Sequence, residues 1–166
     1  ASDVYKRQIL LCSERLLEKA KTVPNRGFYT DLLKIKKQSD NNYALTTPPV
    51  SIMYGLDYQL DKALREGMSA RYERHQKMAD MVRAWADKNM EGIFPEKGYQ
   101  SNSIGVINKG SLDFDAFHSK LKARGYEISN GYGDIKEKTF RIGHLGDTTP
   151  EMVADLLSVM DEIMEE

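Results

Sequence analysis

The feature that most constrains the fold of this chain is a helical pattern of apolar residues about ten turns long. From Val50 to Ala86, apolar side chains recur at steps of three and four, which places them on one face of an α-helix. The pattern predicts one long amphipathic helix or two consecutive ones, with Gly67 as the kink or junction. We interpret the charged residues in between, Arg71 and Arg74 among them, as a solvated face rather than a nucleic-acid-binding stripe.

Downstream of this pattern the sequence alternates between short strands and helices. Strands are predicted at Ser103–Ile107, Tyr126–Ser129 and Phe140–Leu145, and helices at Leu112–Arg124, closed by Gly125, and from Pro150 onward with Thr149 as N-cap. The last helix is expected to bury Met152, Val153, Leu156, Leu157, Met160, Ile163 and Met164. The order predicts an α/β (α+β) sandwich, a short sheet covered on one face by helices.

The first 42 residues do not fit that sandwich. Residues 1–8 have neither a helix nor a strand pattern, so we expect a non-native leader, with a native helix end or linker as the alternative. Ile9–Cys12 is typical of a fully buried strand, and Ser13 of the N-cap of a helix ending near Lys21. Phe28–Lys37 is predicted as a strand or a docking turn. Because one strand and one helix cannot form a core, residues 9–42 are expected to be the remnant of a larger domain, and residues 43–166 the small C-terminal domain.

Composition excludes several classes of function. With 24 basic and 25 acidic residues the net charge is −1, so no overall field attracts nucleic acid or an anionic membrane. No apolar run has the length of a transmembrane helix, and the single cysteine, Cys12, fits a reducing cytoplasm. The sequence has no CxxC, HExxH or Walker motif, and its three histidines are scattered, so no metal site is predicted.

Arg141 is the first candidate functional residue. It lies in the segment TFRIGHLG (residues 139–146), where Phe140, Ile142 and Leu145 are expected to be buried and Arg141 to face the other way. Glycines before and after this strand bring bare backbone close to that face. A strand arginine beside such backbone suits bidentate binding of a carboxylate or phosphate. The alternative is an edge-strand arginine that only pairs with a neighbouring acid.

The second candidate is the helix start Thr46-Thr47-Pro48-Pro49. The residue before a proline is held extended, and Pro49 suits the first turn of the next helix. Hydroxyls and free backbone N–H groups at such a start are natural phosphate ligands. A plain Ser/Thr cap followed by proline is the alternative.

These segments together resemble a known family. TTPPVSIMYGL, ARYERH, GYG and FRIGHLGD occur here in the order and approximate spacing of the C-terminal part of class V, fold-type I pyridoxal-phosphate aminotransferases. The similarity runs from about Ile9 to Ile163 and is strongest to the alanine/serine–glyoxylate (serine–pyruvate) branch. It implies a homodimeric transaminase, with pyridoxal 5'-phosphate as cofactor, that moves an amino group from alanine or serine to glyoxylate or pyruvate.

The resemblance also assigns roles to residues. Arg141 matches the arginine that binds the substrate carboxylate, and Thr47 the threonine that reaches the cofactor phosphate of the neighbouring subunit. The family often has a tyrosine three residues before that threonine, where this chain has Ala44, with Tyr43 one residue earlier. Gly131 and Gly133 would let their loop approach the carboxylate. No lysine here matches the Schiff-base lysine, so no catalytic residue is assigned and the fragment by itself is expected to be inactive.

Two other functions remain open from the residues. One is a stand-alone regulatory α/β module that senses a small carboxylate through Arg141. The other is a dimerisation domain without catalysis, with the helical stretch Val50–Ala86 as its interface.

Overall fold

The computed structural model describes residues 9–166, so the leader predicted at residues 1–8 lies outside the described residues. The chain divides into two compact units, one ending at Lys62 and the other comprising Ala63–Glu166. The predicted boundary between residues 42 and 43 concerns the domains of a longer protein and stays a prediction. The elements are α1 (Glu14–Lys21), α2 (Leu32–Asp40), α3 (Val50–Glu66), α4 (Met68–Asn89), β1 (Ile104–Asn108), α5 (Phe114–Ala123), β2 (Ser129–Asn130), a 3-10 turn (Gly133–Ile135), β3 (Thr139–Gly143) and α6 (Pro150–Glu165).

In the first unit, Arg26 joins the end of α1 to the start of α2. Its Nη1 donates to the carbonyls of Ala20 (3.1 Å) and Val23 (2.7 Å), which lie where α1 runs out of internal donors. Its Nε donates to Asp31 at 3.0 Å, and Asp31 caps α2 by accepting from the backbone of Leu33. The bond from Arg26 holds the pKa of Asp31 below its usual value.

Two strand predictions for this unit are wrong. Ile9–Cys12 is not a strand, and its leucines are exposed, Leu11 by 91%. A strand needs a paired neighbour, and residues 9–62 contain no other strand. Phe28–Lys37 is not a strand: Tyr29 and Thr30 form a turn, and α2 begins at Leu32 within the segment.

The long helical pattern forms two helices, as predicted. Gly67 separates α3 from α4 with φ +86, a conformation that side-chain-bearing residues rarely adopt. The apolar side chains of α3 are exposed in this chain, among them Met53, Leu60 and Leu64. Helix α3 therefore has the apolar face that the periodicity predicts, but none of its residues is buried.

In the second unit, β3 is the central strand of a three-stranded antiparallel sheet with the order β1-β3-β2. Val106 of β1 and Ser129 of β2 lie directly opposite Arg141. Strand alternation puts Phe140 and Ile142 on the other face, where both are fully buried. β2 covers Ser129–Asn130 rather than the predicted Tyr126–Ser129.

The buried face of the sheet packs against α4, α5 and α6, which confirms the small α/β fold. The core consists of Met78, Val82, Trp85, Ala86, Ile107, Phe114, Phe117, Leu121, Ile128, Phe140, Ile142, Val153, Leu157, Met160 and Ile163. Three side chains predicted to be buried are exposed instead, namely Leu145 (57%), Met152 (58%) and Met164 (40%). His144 occupies the buried position next to Leu145, because the inward alternation of β3 continues one residue beyond the strand.

Candidate functional site

Arg141 is held by the central strand of the sheet. β3 pairs with β1 on one side and with β2 on the other, so the alternative of an edge-strand arginine is wrong. The side chain is half-buried, and its Nε donates to the main-chain carbonyl of Asn130 at 2.8 Å. That bond fixes the guanidinium against β2, on the face of the sheet opposite the helices.

The remaining donors of Arg141 are unused. No carboxylate among residues 9–166 forms an ion pair with it, and its two terminal nitrogens have no acceptor among them. A half-buried guanidinium with one anchored nitrogen presents its planar N–H edge in a fixed orientation. This geometry suits a pair of carboxylate or phosphate oxygens. No acidic side chain among residues 9–166 occupies that position.

The loop between β2 and β3 depends on Gly131. A Cβ at this position would lie 2.5 Å from Thr139 Oγ1 and 2.7 Å from the carbonyl oxygens of Ile135 and Thr139. Those two carbonyls belong to the backbone and cannot move cheaply, so only glycine fits. Gly133 has φ +58 and open space around it, so its backbone conformation, not packing, favours glycine there. Both glycines therefore have a structural role, which is to determine the conformation of the loop beside Arg141.

Thr47 lies in the irregular segment just before α3. Its side chain is exposed, and among the described residues its hydroxyl makes no hydrogen bond. The backbone N–H groups of Val50 and Ile52 already donate to Pro48 and Pro49, at 2.9 and 3.0 Å. The available hydroxyl therefore fits a phosphate oxygen, whereas these two amides at the start of α3 are already used. Thr47 belongs to the unit ending at Lys62, and Arg141 belongs to the other unit.

A cluster that the sequence did not reveal surrounds Glu66. Arg74 binds it through Nε at 2.6 Å and Nη2 at 3.0 Å, and Arg71 through Nη1 at 2.8 Å. Arg74 also donates to the main-chain carbonyls of Gly146, at 3.2 Å, and Thr148. Arg74 thereby ties the loop that follows β3 to α4. The bonds from the two arginines lower the pKa of Glu66 to about 2.

The interpretation of Arg71 and Arg74 as part of a solvated face is therefore wrong. Both side chains are only 19% exposed. The rule that residues three or four apart share a face predicts contacts within one helix. The rule does not apply across Gly67, because the backbone leaves the helical conformation there. Arg71 and Arg74 of α4 can therefore reach Glu66 at the end of α3.

His144 is buried directly after β3. Its backbone N–H donates to the carbonyl of Ser103 at 3.0 Å, whereas neither ring nitrogen has a partner among the described residues. Burial lowers the pKa of the imidazole, which favours the neutral ring. Among residues 9–166, no three His, Cys, Asp or Glu side chains lie together as a metal site requires. No helix in the same range is long and apolar enough to cross a membrane.

Comparison with known proteins returns two kinds of relative, although no protein-family model matches the chain. It is 26% identical over 155 residues to the small subunit of soluble hydrogenase from Synechococcus sp., covering 93% of this chain and 40% of that protein. It is 31% identical over 124 residues to L-aspartate–glyoxylate aminotransferase from Paracoccus denitrificans, covering 71% and 31%. The chain thus spans about two fifths of the length of the first of these relatives.

Solved structures of aminotransferases share the fold of this chain. Pyridoxamine–pyruvate aminotransferase from Mesorhizobium loti superposes with a TM-score of 0.79 and 26% identity, over 92% of this chain and 41% of that structure. The matches cover the C-terminal portion of these proteins. The resemblance inferred from the sequence is therefore confirmed: the aminotransferases among the relatives of this chain, and the structural neighbour described above, are class V aminotransferases whose names include glyoxylate or pyruvate.

Proposed function

We propose that this chain is the C-terminal part of a pyridoxal-phosphate-dependent transaminase in which Arg141 binds the substrate carboxylate. The observation that carries the proposal is the anchored guanidinium, held at Nε by Asn130 and without an acid partner among residues 9–166. The names of two aminotransferase relatives, serine–glyoxylate aminotransferase and pyridoxamine–pyruvate transaminase, support serine as amino donor and glyoxylate or pyruvate as acceptor. Alanine as the other donor follows from the resemblance of the sequence to the alanine/serine–glyoxylate branch. The hydrogenase name of the Synechococcus protein is not carried over, because no side chain among the described residues points to that chemistry.

Arg141 contributes orientation to the reaction. A carboxylate held by a planar pair of N–H donors cannot rotate freely, so the bond at Cα that reacts keeps one direction relative to the sheet. When bound, pyridoxal phosphate would supply the electron sink for the bond broken at Cα. The hydroxyl of Thr47, exposed and without an acceptor among residues 9–166, would donate to a phosphate oxygen of the cofactor bound by the neighbouring subunit.

The reactive lysine is proposed to lie outside this chain. Lys109 is the one buried lysine among the described residues, and it has a structural role. Its Nζ donates to the carbonyl of Lys136 at 2.9 Å and lies 4.9 Å from the ring centroid of Phe114. Incubation with pyridoxal phosphate, borohydride reduction and peptide mapping should label no single lysine stoichiometrically, and one such label would contradict this.

A homodimer that works in the cytoplasm completes the proposal. The exposed apolar side chains of α3, such as Met53, Leu60 and Leu64, support a partner surface on that helix. In sedimentation, Leu64→Lys should weaken any self-association of the chain, and a monomer at all concentrations would contradict a dimer formed through α3. An interface on α3 would also serve a dimerisation domain without catalysis, which is the second candidate.

Binding of pyruvate to the isotopically labelled chain tests the role of Arg141. The NMR signals of the Arg141 side chain and of its β2 and β3 neighbours should shift with pyruvate and not with its neutral amide. Arg141→Ala should abolish the response, and Arg141→Lys should keep a weakened one, because lysine retains the charge without the planar fork. Arg15→Ala, at an exposed position on α1, is the control. An unchanged response in Arg141→Ala would remove this residue from the site.

A further inference from the structure

Ser129 is the nearest candidate for a second donor at the Arg141 site. We propose that its hydroxyl donates a hydrogen bond to the same substrate carboxylate that Arg141 binds. This inference rests on the proposed function and adds a residue that neither the motifs nor the resemblance assigns.

The strand register places the two side chains together. Ser129 of β2 lies directly opposite Arg141 of β3 in the antiparallel ladder. Directly opposed residues project from the same face, with Cβ atoms about 5 Å apart. A one-residue shift of the register would move Ser129 to the helix-covered face, so the position of the hydroxyl follows from the pairing itself.

The anchoring of Arg141 brings its guanidinium towards this serine. Nε donates to the carbonyl of Asn130, the residue after Ser129, so the head group is held over β2 rather than over β1. Ser129 is exposed, and its hydroxyl makes no hydrogen bond among the described residues. The two terminal nitrogens of Arg141 are equally unused among these residues, so three donor groups, two of N–H type and one hydroxyl, lie in one small area.

The chemistry of a carboxylate matches this set of donors. A carboxylate offers about four lone-pair positions, of which the planar edge of an arginine uses two. A hydroxyl from the adjacent strand can donate to a third without displacing the guanidinium. On the opposite side of Arg141 the cross-strand neighbour is Val106, which has no polar side-chain atom. The β2 side of the site is therefore polar and the β1 side apolar, which suits a small 2-oxo or 2-amino monocarboxylate.

A matched pair of variants isolates the hydroxyl. Ser129→Thr keeps the O–H, and Ser129→Val replaces it by a methyl group of nearly the same shape. Both residues favour strands, so β2 should keep its pairing. The probe is pyruvate, titrated into the isotopically labelled chain and followed by NMR. Ser129→Thr should bind with nearly the wild-type dissociation constant, and Ser129→Val about tenfold more weakly, since a hydrogen bond to a charged group is lost. Ser111→Ala, an exposed serine in the turn after β1, should leave the constant unchanged.

The outcomes separate this inference from the proposed function. If Ser129→Val binds pyruvate as tightly as the wild type while Arg141→Ala does not bind, the serine is only hydrated, and this inference is overturned while the role of Arg141 stands. If Arg141→Ala binds as well as the wild type, or if the wild type does not bind at all, the proposed function fails and this inference fails with it. Equal weakening in Ser129→Thr and Ser129→Val would assign the loss to side-chain shape and would also overturn the inference.

Discussion

Gly105 of β1 lies against Val82 of α4, and this contact determines how closely the sheet approaches the helix. A Cβ at Gly105 would lie 2.6 Å from Val82 Cγ1, with Val82 Cβ at 3.8 Å and the carbonyl oxygen of Ile142 at 3.9 Å. Carbon atoms in contact prefer about 3.5–4.0 Å, so β1 or Val82 must move by about 1 Å in Gly105→Ala. The predicted cost is about 2 kcal/mol of unfolding free energy, typical of an overpacked core.

The structure also predicts how to relieve that cost. Val82→Ala alone should lose about 2 kcal/mol through the missing methyl groups and the void they leave. In the double variant the new methyl group at Gly105 occupies that void, and Val82 Cβ stays at an ordinary contact distance. The double variant should therefore lose only about 1–2 kcal/mol, with an interaction energy of about 2–3 kcal/mol between the two sites.

Urea denaturation followed by the fluorescence of Trp85 measures these losses. Trp85 is the single tryptophan of the chain and belongs to the same core. The control is Gly55→Ala in α3, where a Cβ meets nothing within 4 Å, and it should not lower stability. Additive losses in the double variant, or no loss in Gly105→Ala, would show that the close contact with Val82 does not limit the sheet.

Two further predictions concern α4 and α6. Because the pKa of Glu66 is lowered to about 2 from 4.5, its ionised form stabilises the fold above about pH 4.5, and this stabilisation is lost as the pH falls towards 2. The difference in unfolding free energy between the wild type and Glu66→Gln should accordingly shrink over that range in acid titrations, and a constant difference would exclude the carboxylate as its source. Thr149→Ala should cost about 1 kcal/mol in thermal unfolding, because the Thr149 hydroxyl caps α6 by accepting from Met152 at 3.3 Å, and Thr149→Ser should restore most of it unless the cap is dispensable.

Local signals predicted the features that depend on a few neighbouring residues. Gly67 was identified as the helix junction and Thr149 as a cap, since both roles follow from backbone conformation and side-chain chemistry within one turn. The direction of Arg141 followed from strand alternation alone. That its terminal nitrogens are unused could not be predicted, because this depends on which acids the fold brings near them.

The failures have a common physical cause in tertiary context. Ile9–Cys12 has the composition of a buried strand, but a strand forms only where another strand offers its backbone. Asp31 is the N-cap of α2 and is a typical capping residue, but the apolar residues around it obscured the start of the helix in the sequence. Apolarity predicts Leu145 as the core residue, whereas the structure buries His144, whose polar ring gives no apolar signal in the sequence.

The sheet order has a consequence for how the chain folds. β3, the last strand in the sequence, lies between β1 and β2, which form no ladder with each other. A growing chain that has not yet reached Thr139 therefore contains no strand ladder between these elements, however complete its helices are. Pairing of β1 with β3 joins residues 31 (Asn108 and Thr139) to 39 (Ile104 and Gly143) positions apart, a separation that slows folding relative to local helix formation. The strand that carries Arg141 thus completes the sheet, and we expect the proposed carboxylate site to be one of the last features of the fold to form.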